Sequence, residues 1–320
     1  MAHFLKRFAA LVLGAGICAG VSAQTKIDVV VFGPPSLGYF VVPIIKSQKL
    51  DLAHGLDLNF VKRPPSAYIA QFNSGEFKVG ASAALLSVAV ASSKGVKVSY
   101  LFNAFNYFGA VVTQRPGIRT VKDLEGHQLV AATATTNFAM FKWLAGKNGA
   151  DVGKIPVQNT APPGLVGYAL ADRADAIQLW EPALSVLMSK KPSFRSLELN
   201  IDAQWKAAGG VGHIPYLGVA AHQSWLAENP GAAEKLHAVY KDAAAWILGK
   251  PAEAAKLISA TIKGSDVEVI RKLIEDNARL GLEVRRAADI AKDIETVYAA
   301  GLDSGYLKAP VDKSTICQGR

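Results

Sequence analysis

Val29-Val30-Val31-Phe32-Gly33-Pro34-Pro35-Ser36-Leu37-Gly38-Tyr39-Phe40-Val41-Val42-Pro43-Ile44-Ile45 is the stretch on which the fold turns. The unbroken apolar run over residues 29–32 suits a strand buried on both faces, the habit of a parallel sheet covered by helices. Gly33-Pro34-Pro35 ends the strand, since proline removes ladder donors and fixes φ. Ser36 then stands where a helix cap belongs, ahead of apolar Tyr39, Phe40, Val42, Ile44 and Ile45. Strand, tight turn and capped helix together predict an α/β unit.

Outward from this unit the rhythm repeats. The chain is strand-like over 56–61, breaks at Pro64-Pro65 and resumes as a helix capped by Ser66. A strand at 77–80 leads into Ser82 and a helix ending at Gly95, and another strand covers 96–102. After Gly117 the alternation restarts, with strands at 129–131, 156–158 and 176–179 separated by helices at 137–144 and 165–170. From Ser224 onward only helices are expected: Leu236, Val239, Tyr240, Ala243 and Ile247 share one face, as do Ile290, Ile294, Val297 and Tyr298. At 320 residues the chain exceeds the usual size of one core. The expected architecture is therefore α/β in two lobes, each a mixed sheet flanked by helices, with a helical C-terminal tail.

The N-terminus carries an address. Lys6 and Arg7 precede an uncharged apolar run over 8–19, the basic start and hydrophobic centre of a secretory signal. That run is shorter than the roughly 20 apolar residues of a membrane span, and it ends in Val21-Ser22-Ala23. Cleavage is expected between Ala23 and Gln24, making residues 1–23 a signal peptide and the mature protein soluble and periplasmic. Cys18 follows Ile17, where a lipoprotein signal requires a small residue, so a lipid anchor is disfavoured. Loss of Lys6 and Arg7 lowers the formal charge from +9 to +7. The basic residues are dispersed, which argues against nucleic acid as a partner and suits solubility with some attraction for anions. Cys317 is the one cysteine left, so neither a disulfide nor a thiolate metal site is expected.

Enzyme signatures are missing. There is no Walker A loop, GxSxG elbow or HExxH helix. Gly14-Ala15-Gly16-Ile17-Cys18-Ala19 fits a dinucleotide pattern but lies in the signal, with no strand before it. His54, His127, His213, His222 and His237 lack metal-ligand spacing. A triad assembled from distant residues stays open, but the expectation is a non-enzyme with no cofactor and no metal.

Leu170-Ala171-Asp172-Arg173-Ala174-Asp175-Ala176-Ile177-Gln178-Leu179-Trp180-Glu181-Pro182 resembles the G-x-x-D-A-x-x-x-W-E-P segment of periplasmic binding proteins for nitrate, sulfonates, taurine and thiamine-precursor pyrimidines. Ser36-Leu37-Gly38-Tyr39 with His54-Gly55-Leu56-Asp57, Asn73-Ser74-Gly75-Glu76, and Val121-Lys122-Asp123-Leu124-Glu125-Gly126 resemble other parts of that family in the same order. Lys78 departs from it, standing where the family often has Asp. The resemblance implies the type II periplasmic-binding-protein fold: lobe one from residues 24–110 and 217–320, lobe two from 111–216, and crossings near 108–113 and 215–221. It also implies partnership with an ABC permease and its ATPase. Two other readings remain at this stage: an enzyme on the same fold acting on a small pyrimidine or related metabolite, and a secreted receptor for a membrane sensor.

Ligands of open α/β sheets sit at the carboxyl ends of the strands, beside helix N-termini whose free N–H groups suit an anion. Four turns qualify, and they nominate Ser36, Gly38 and Tyr39; Ser82 and Ala83; Thr133, Thr135, Thr136 and Asn137; and Gln178, Trp180 and Glu181. Ser36, Ser82 and Thr136 serve equally well as helix caps, and Glu181 suits either the hinge or a cationic ligand group. His213 joins the set from the return crossing, where Tyr216 also lies. Phe102, Phe105, Tyr107 and Phe108 divide between core and cleft. The expected ligand is a small organic anion, sulfonate-like or related, with sulfonate, carboxylate, nitrate and pyrimidine all left open by the sequence.

Overall fold

The computed structural model describes residues 24–319, so the expected signal peptide and its cleavage site lie outside the described residues. Lobe one is built on a six-stranded sheet of β1 (Thr25–Phe32), β2 (Leu56–Arg63), β3 (Val79–Ala84), β4 (Val98–Asn106), β10 (Pro215–His222) and β11 (Leu282–Arg286), in the order β11-β4-β10-β3-β1-β2. Lobe two has five strands, β5 (Gly109–Thr113), β6 (Leu129–Ala131), β7 (Val157–Asn159), β8 (Ala176–Trp180) and β9 (Arg195–Ser196), in the order β7-β6-β8-β5-β9. Both sheets are mixed and flanked by helices, as expected.

The chain changes lobe at two short places. β4 ends at Asn106 and β5 begins at Gly109; the return passes through His213 and Ile214 into β10. The crossings expected over 108–113 and 215–221 are therefore mostly strands, and the true links are shorter. Each strand entering from the other lobe runs against its new neighbours: β5 is antiparallel to β8, and β10 to β3. The reason is geometric. The crossings join the lobes at the carboxyl ends of the parallel strands, so an incoming strand must start where those strands finish. Gly109 accordingly pairs with Trp180 at the end of β8, and Leu217 with Ala84 at the end of β3.

The opening unit forms as read, with one break. β1 pairs in parallel with both β2 and β3, and Val29, Val30 and Val31 are buried. The expected helix divides into Leu37–Phe40 and Val42–Ser47, because Pro43 has no N–H to donate to the preceding turn. Ile44 and Ile45 are fully buried, each worth about 1.5–3 kcal/mol of hydrophobic transfer.

Three other expectations change. The third strand extends to Ala84, so Ser82 lies inside it rather than capping the next helix, Leu85–Ser93, whose cap position is Ala84. The helix Pro65–Asn73 begins after Pro64 with no side-chain cap, so Ser66 has no capping role. The C-terminal region is helical but not wholly so, since β11 pairs antiparallel with β4 and closes the edge of the first sheet. In lobe two, one sheet face packs on Leu165, Ala169, Leu184 and Leu187, while the other meets helix Thr136–Lys147, whose core is continuous with lobe one. Among the described residues no helix is long and apolar enough to cross a membrane.

Candidate ligand cleft

The two crossings enter beside the carboxyl ends of β3 and β8, which sets those strand ends, with those of the parallel β1 and β6, toward the junction of the lobes. On the lobe-one side, Ser36 caps its short helix: its Oγ accepts from the Tyr39 N–H at 3.3 Å and donates to the Phe32 carbonyl at 3.2 Å. Ser82 is buried, and its Oγ accepts the Phe32 N–H at 2.8 Å. Gly38 packs directly on it, since a Cβ at Gly38 would stand 1.9 Å from Ser82 Oγ. Ser82 and Gly38 thus hold the first helix against β3. Ala83 lines a cavity of about 40 Å³ with Phe32, Tyr68, Phe72 and Ser87. Half-buried Tyr39 has Lys62 Nζ over its ring, 5.6 Å from the centroid.

On the lobe-two side, helix capping falls one residue earlier than expected. Thr135, not Thr136, caps helix Thr136–Lys147, accepting from the Phe138 N–H at 3.2 Å and donating to the Ala132 carbonyl at 2.7 Å. Thr133 bonds through its N–H and its hydroxyl to Asn159 Oδ1, at 3.0 and 2.9 Å. Thr136 is left 2 % exposed with no hydrogen-bond partner for its Oγ1. Beside it, Asn137 Nδ2 reaches across to the Tyr216 hydroxyl in β10 at 2.6 Å, and Gln178 Nε2 donates to the Asn137 carbonyl at 2.7 Å. Asn137 Oδ1 and Gln178 Oε1 are buried without partners, as is the Tyr107 hydroxyl. Tyr107 and Tyr216 meet edge to face, centroids 6.0 Å apart. The Tyr107 hydroxyl lies over Gly109, where a Cβ would be 2.0 Å from it.

This cluster is uncharged. It joins lobe two (Thr136, Asn137, Gln178) to residues of the first crossing and of β10 (Tyr107, Tyr216). Burial raises the phenol pKa values of Tyr107 and Tyr216, the latter against the opposing Asn137 hydrogen bond, so both hydroxyls keep their protons at neutral pH. Half-buried Trp180 ends β8 two residues beyond Gln178 and packs against the lobe-two core cluster that contains Leu165, Leu179 and Leu184. A further bond spans the lobes: the Tyr306 hydroxyl donates to the Ala134 carbonyl at 3.2 Å.

Two nominated residues lie apart from this cluster. Glu181 is buried and engaged, with Oε1 2.6 Å from Arg279 Nη2 and Oε2 accepting the Ser185 N–H at 3.0 Å. His213 is 70 % exposed, its Nδ1 3.1 Å from Glu283 Oε2. It lines a pocket of about 830 Å³ at the crossings, together with Tyr107, Arg279, Glu283 and Asp202. Burial would raise the Glu283 pKa, but hydrogen bonds from Asn106 and His213 and the nearby charges outweigh it and bring it below the usual value. Among the described residues no group of three or more His, Cys, Asp or Glu could hold a metal ion.

The family model described as NMT1/THI5 like matches residues 52–254, from the first lobe through the whole of the second and back. The chain belongs to the NMT1/THI5-like family. No match is found among curated proteins. The NMT1/THI5-like chain is similar in structure to the periplasmic aliphatic sulphonate binding protein SsuA from Escherichia coli, at TM-score 0.73 and 16 % identity over 92 % of this chain and 97 % of that one. It is also similar to the alkanesulfonate-binding protein SsuA from Xanthomonas axonopodis pv. citri bound to MOPS, at TM-score 0.71 and 16 % identity, covering 90 % and 96 %. The periplasmic nitrate-binding protein NrtA from Synechocystis PCC 6803 gives TM-score 0.67 and 13 % identity, covering 92 % and 84 %. These likenesses establish the two-lobed type II fold.

Within this NMT1/THI5-like chain, the aromatic residues divide as the sheet dictates. Phe102 and Phe105 are core, Tyr107 joins the cluster, and half-buried Phe108 lies under the Arg279 guanidinium. Tyr306 was not legible as a junction residue in the sequence. It follows a segment that reads as plain helix, and only the meeting of the lobes sets its hydroxyl on the Ala134 carbonyl.

Proposed function

We propose that the chain is the extracytoplasmic solute-binding component of an ABC importer, which captures a small organic anion between its lobes and delivers it unchanged to a membrane permease. One observation carries the reading: two short crossings join the lobes at the carboxyl ends of their parallel strands, and near them Thr136 Oγ1, Asn137 Oδ1, Gln178 Oε1 and the Tyr107 hydroxyl are each buried without a partner. A buried polar group left unpaired costs roughly 1–3 kcal/mol, so closing the lobes over an empty cleft is unfavourable. A ligand that satisfies these groups shifts the balance toward the closed form, which is the behaviour a carrier needs. The N-terminus of helix Thr136–Lys147, with its free N–H groups, accommodates the anionic end. Ser36, Gly38, Tyr39, Ser82 and Ala83 shape the opposite wall, and Trp180 flanks the pocket floor.

The test is a metabolite screen on the purified mature protein by thermal shift at constant ionic strength. Small-angle scattering and mass spectrometry of the best hit follow. The expected result is stoichiometric binding, a smaller radius of gyration with ligand, and a ligand recovered intact. Conversion of the hit to another compound replaces the carrier reading with an enzyme.

A further inference from the structure

The segment that returns from lobe two to lobe one is held from both sides, and the two holds meet at one peptide link. It leaves helix Ile201–Ala207 through Gly209 and Gly210. Gly210 lies against Trp205: its N–H donates to the Trp205 carbonyl at 3.0 Å, and a Cβ there would stand 2.2 Å from the indole. Trp205 is buried and meets Trp143 of helix Thr136–Lys147 edge to face, which fixes it in lobe two. The very next residue is fastened to lobe one. The Val211 N–H donates to Asp293 Oδ1 at 2.8 Å, and the Gly212 N–H reaches both Asp293 oxygens, at 3.3 and 3.2 Å. Asp293 is 5 % exposed and sits in the first turn of helix Ala291–Asp303, which packs on β10. A carboxylate this buried is costly unless hydrogen-bonded, so it keeps these two N–H groups firmly. His213 then meets Glu283 of β11.

The first crossing repeats the arrangement. The Asn106 N–H donates to the Gly281 carbonyl at 2.7 Å, its Nδ2 donates to the same Glu283 Oε2 at 2.7 Å, and the Tyr107 N–H donates to the Ile214 carbonyl at 2.8 Å. Gly109 already pairs with Trp180 in lobe two, which leaves Phe108 between the two holds. We infer that the lobes turn about Phe108 in the first crossing and about the Gly210–Val211 link in the second. Asp293 and Glu283 are the positioning residues that keep the lobe-one side of both points rigid. One bond, from Trp205 Nε1 to the Gly212 carbonyl at 2.9 Å, spans the second point and is given up when the lobes rotate. The inference rests on the carrier reading, which needs lobes that move, and deepens it: a rotation absorbed by so few residues is a hinge with a single path of closure.

The test needs no ligand. In a Cys317→Ser background, spin labels go on the ligand-free mature protein at Lys256→Cys in lobe one, paired with either Val211→Cys or Lys206→Cys on the two sides of the link. All three labelled positions are exposed. Double electron–electron resonance should give a single narrow distance from 256 to 211 and a broad or two-peaked distance from 256 to 206. Asp293→Ala should broaden the first distance towards the second. Asp293→Asn should keep it narrow, because the Oδ1 of asparagine can still accept both N–H groups. Glu283→Ala, at a partly exposed position, should broaden the same distance to a smaller extent, and it carries the test should Asp293→Ala not fold. Equal widths for the two label pairs without these substitutions overturn the pivot. Folded Asp293→Ala or Glu283→Ala protein with unchanged widths overturns the positioning role. Ligand capture judges the carrier reading separately, so either can fail alone.

Discussion

Arg279 and Glu181 form an ion pair across the hinge, Nη2 to Oε1 at 2.6 Å, between the region that follows β10 and the end of β8. The pair is lopsided: the Glu181 side chain is 1 % exposed and that of Arg279 is 37 % exposed. Burial is the largest influence on Glu181 and raises its pKa, outweighing the guanidinium and the Ser185 hydrogen bonds. The charge on Glu181 is thus tolerated rather than strongly favoured.

The two single variants of this pair should differ. Arg279→Met leaves a buried carboxylate without its partner and should destabilise the protein by about 3 kcal/mol, the low end for buried pairs because Arg279 is partly solvated. Glu181→Gln removes the charge and should cost little. A folded-state pKa above the unfolded value of 4.5 means that Glu181 contributes stability below that pH and loses it as pH rises through the raised pKa. The stability of Glu181→Gln relative to wild type should therefore improve between pH 4.5 and pH 7. Denaturant melts across that range check the sign.

Tyr306 spans the lobes by donating to the Ala134 carbonyl. Tyr306→Phe removes one bond that exists only when the lobes are together, so it should weaken ligand binding by about five- to tenfold, equivalent to roughly 1 kcal/mol. The melting temperature of the ligand-free protein should hardly change. Calorimetric titration with the best ligand, beside a thermal melt, separates the two effects.

Gly38 has no room for a side chain, because a Cβ there would meet Ser82 Oγ at 1.9 Å and Ser82 Cβ at 2.8 Å. Gly38→Ala should destabilise by about 1–3 kcal/mol through overpacking. Adding Ser82→Gly removes both clashing atoms and should recover part of that loss, though not the hydrogen bond to the Phe32 N–H. Chemical denaturation of the single and double variants forms the cycle.

Trp180 ends β8 beside Gln178 and opposite Gly109. Ligand should change the tryptophan fluorescence, and Trp180→Phe should remove most of that change although four other tryptophans remain. Trp180→Ala should weaken binding while the protein still melts cooperatively. Normal binding by Trp180→Ala would assign the indole to packing alone.

Much of the architecture was legible in local pattern. Continuous apolar runs such as Val29-Val30-Val31 report burial on both faces whatever lies elsewhere in the chain, and Gly-Pro punctuation marks where strands end. The helical tail was read from its 3.6-residue period, but β11 escaped, because Leu282–Arg286 alternates weakly and is a strand only by pairing with β4. The crossings were placed too late because a buried crossing strand and a buried sheet strand carry the same apolar signature.

By itself the sequence determined the α/β class, the two-lobed rhythm and the turns at the carboxyl ends of the strands, since each depends on residues near one another in the chain. Only the tertiary structure decided which polar groups in those turns stay free. Thr135 takes the cap and releases Thr136; the Phe32 N–H occupies Ser82, fifty residues away; Arg279 occupies Glu181 from ninety-eight residues away. Hydrogen-bond satisfaction is a property of partners, and partners this distant are chosen by strand register and lobe contact rather than by local spacing.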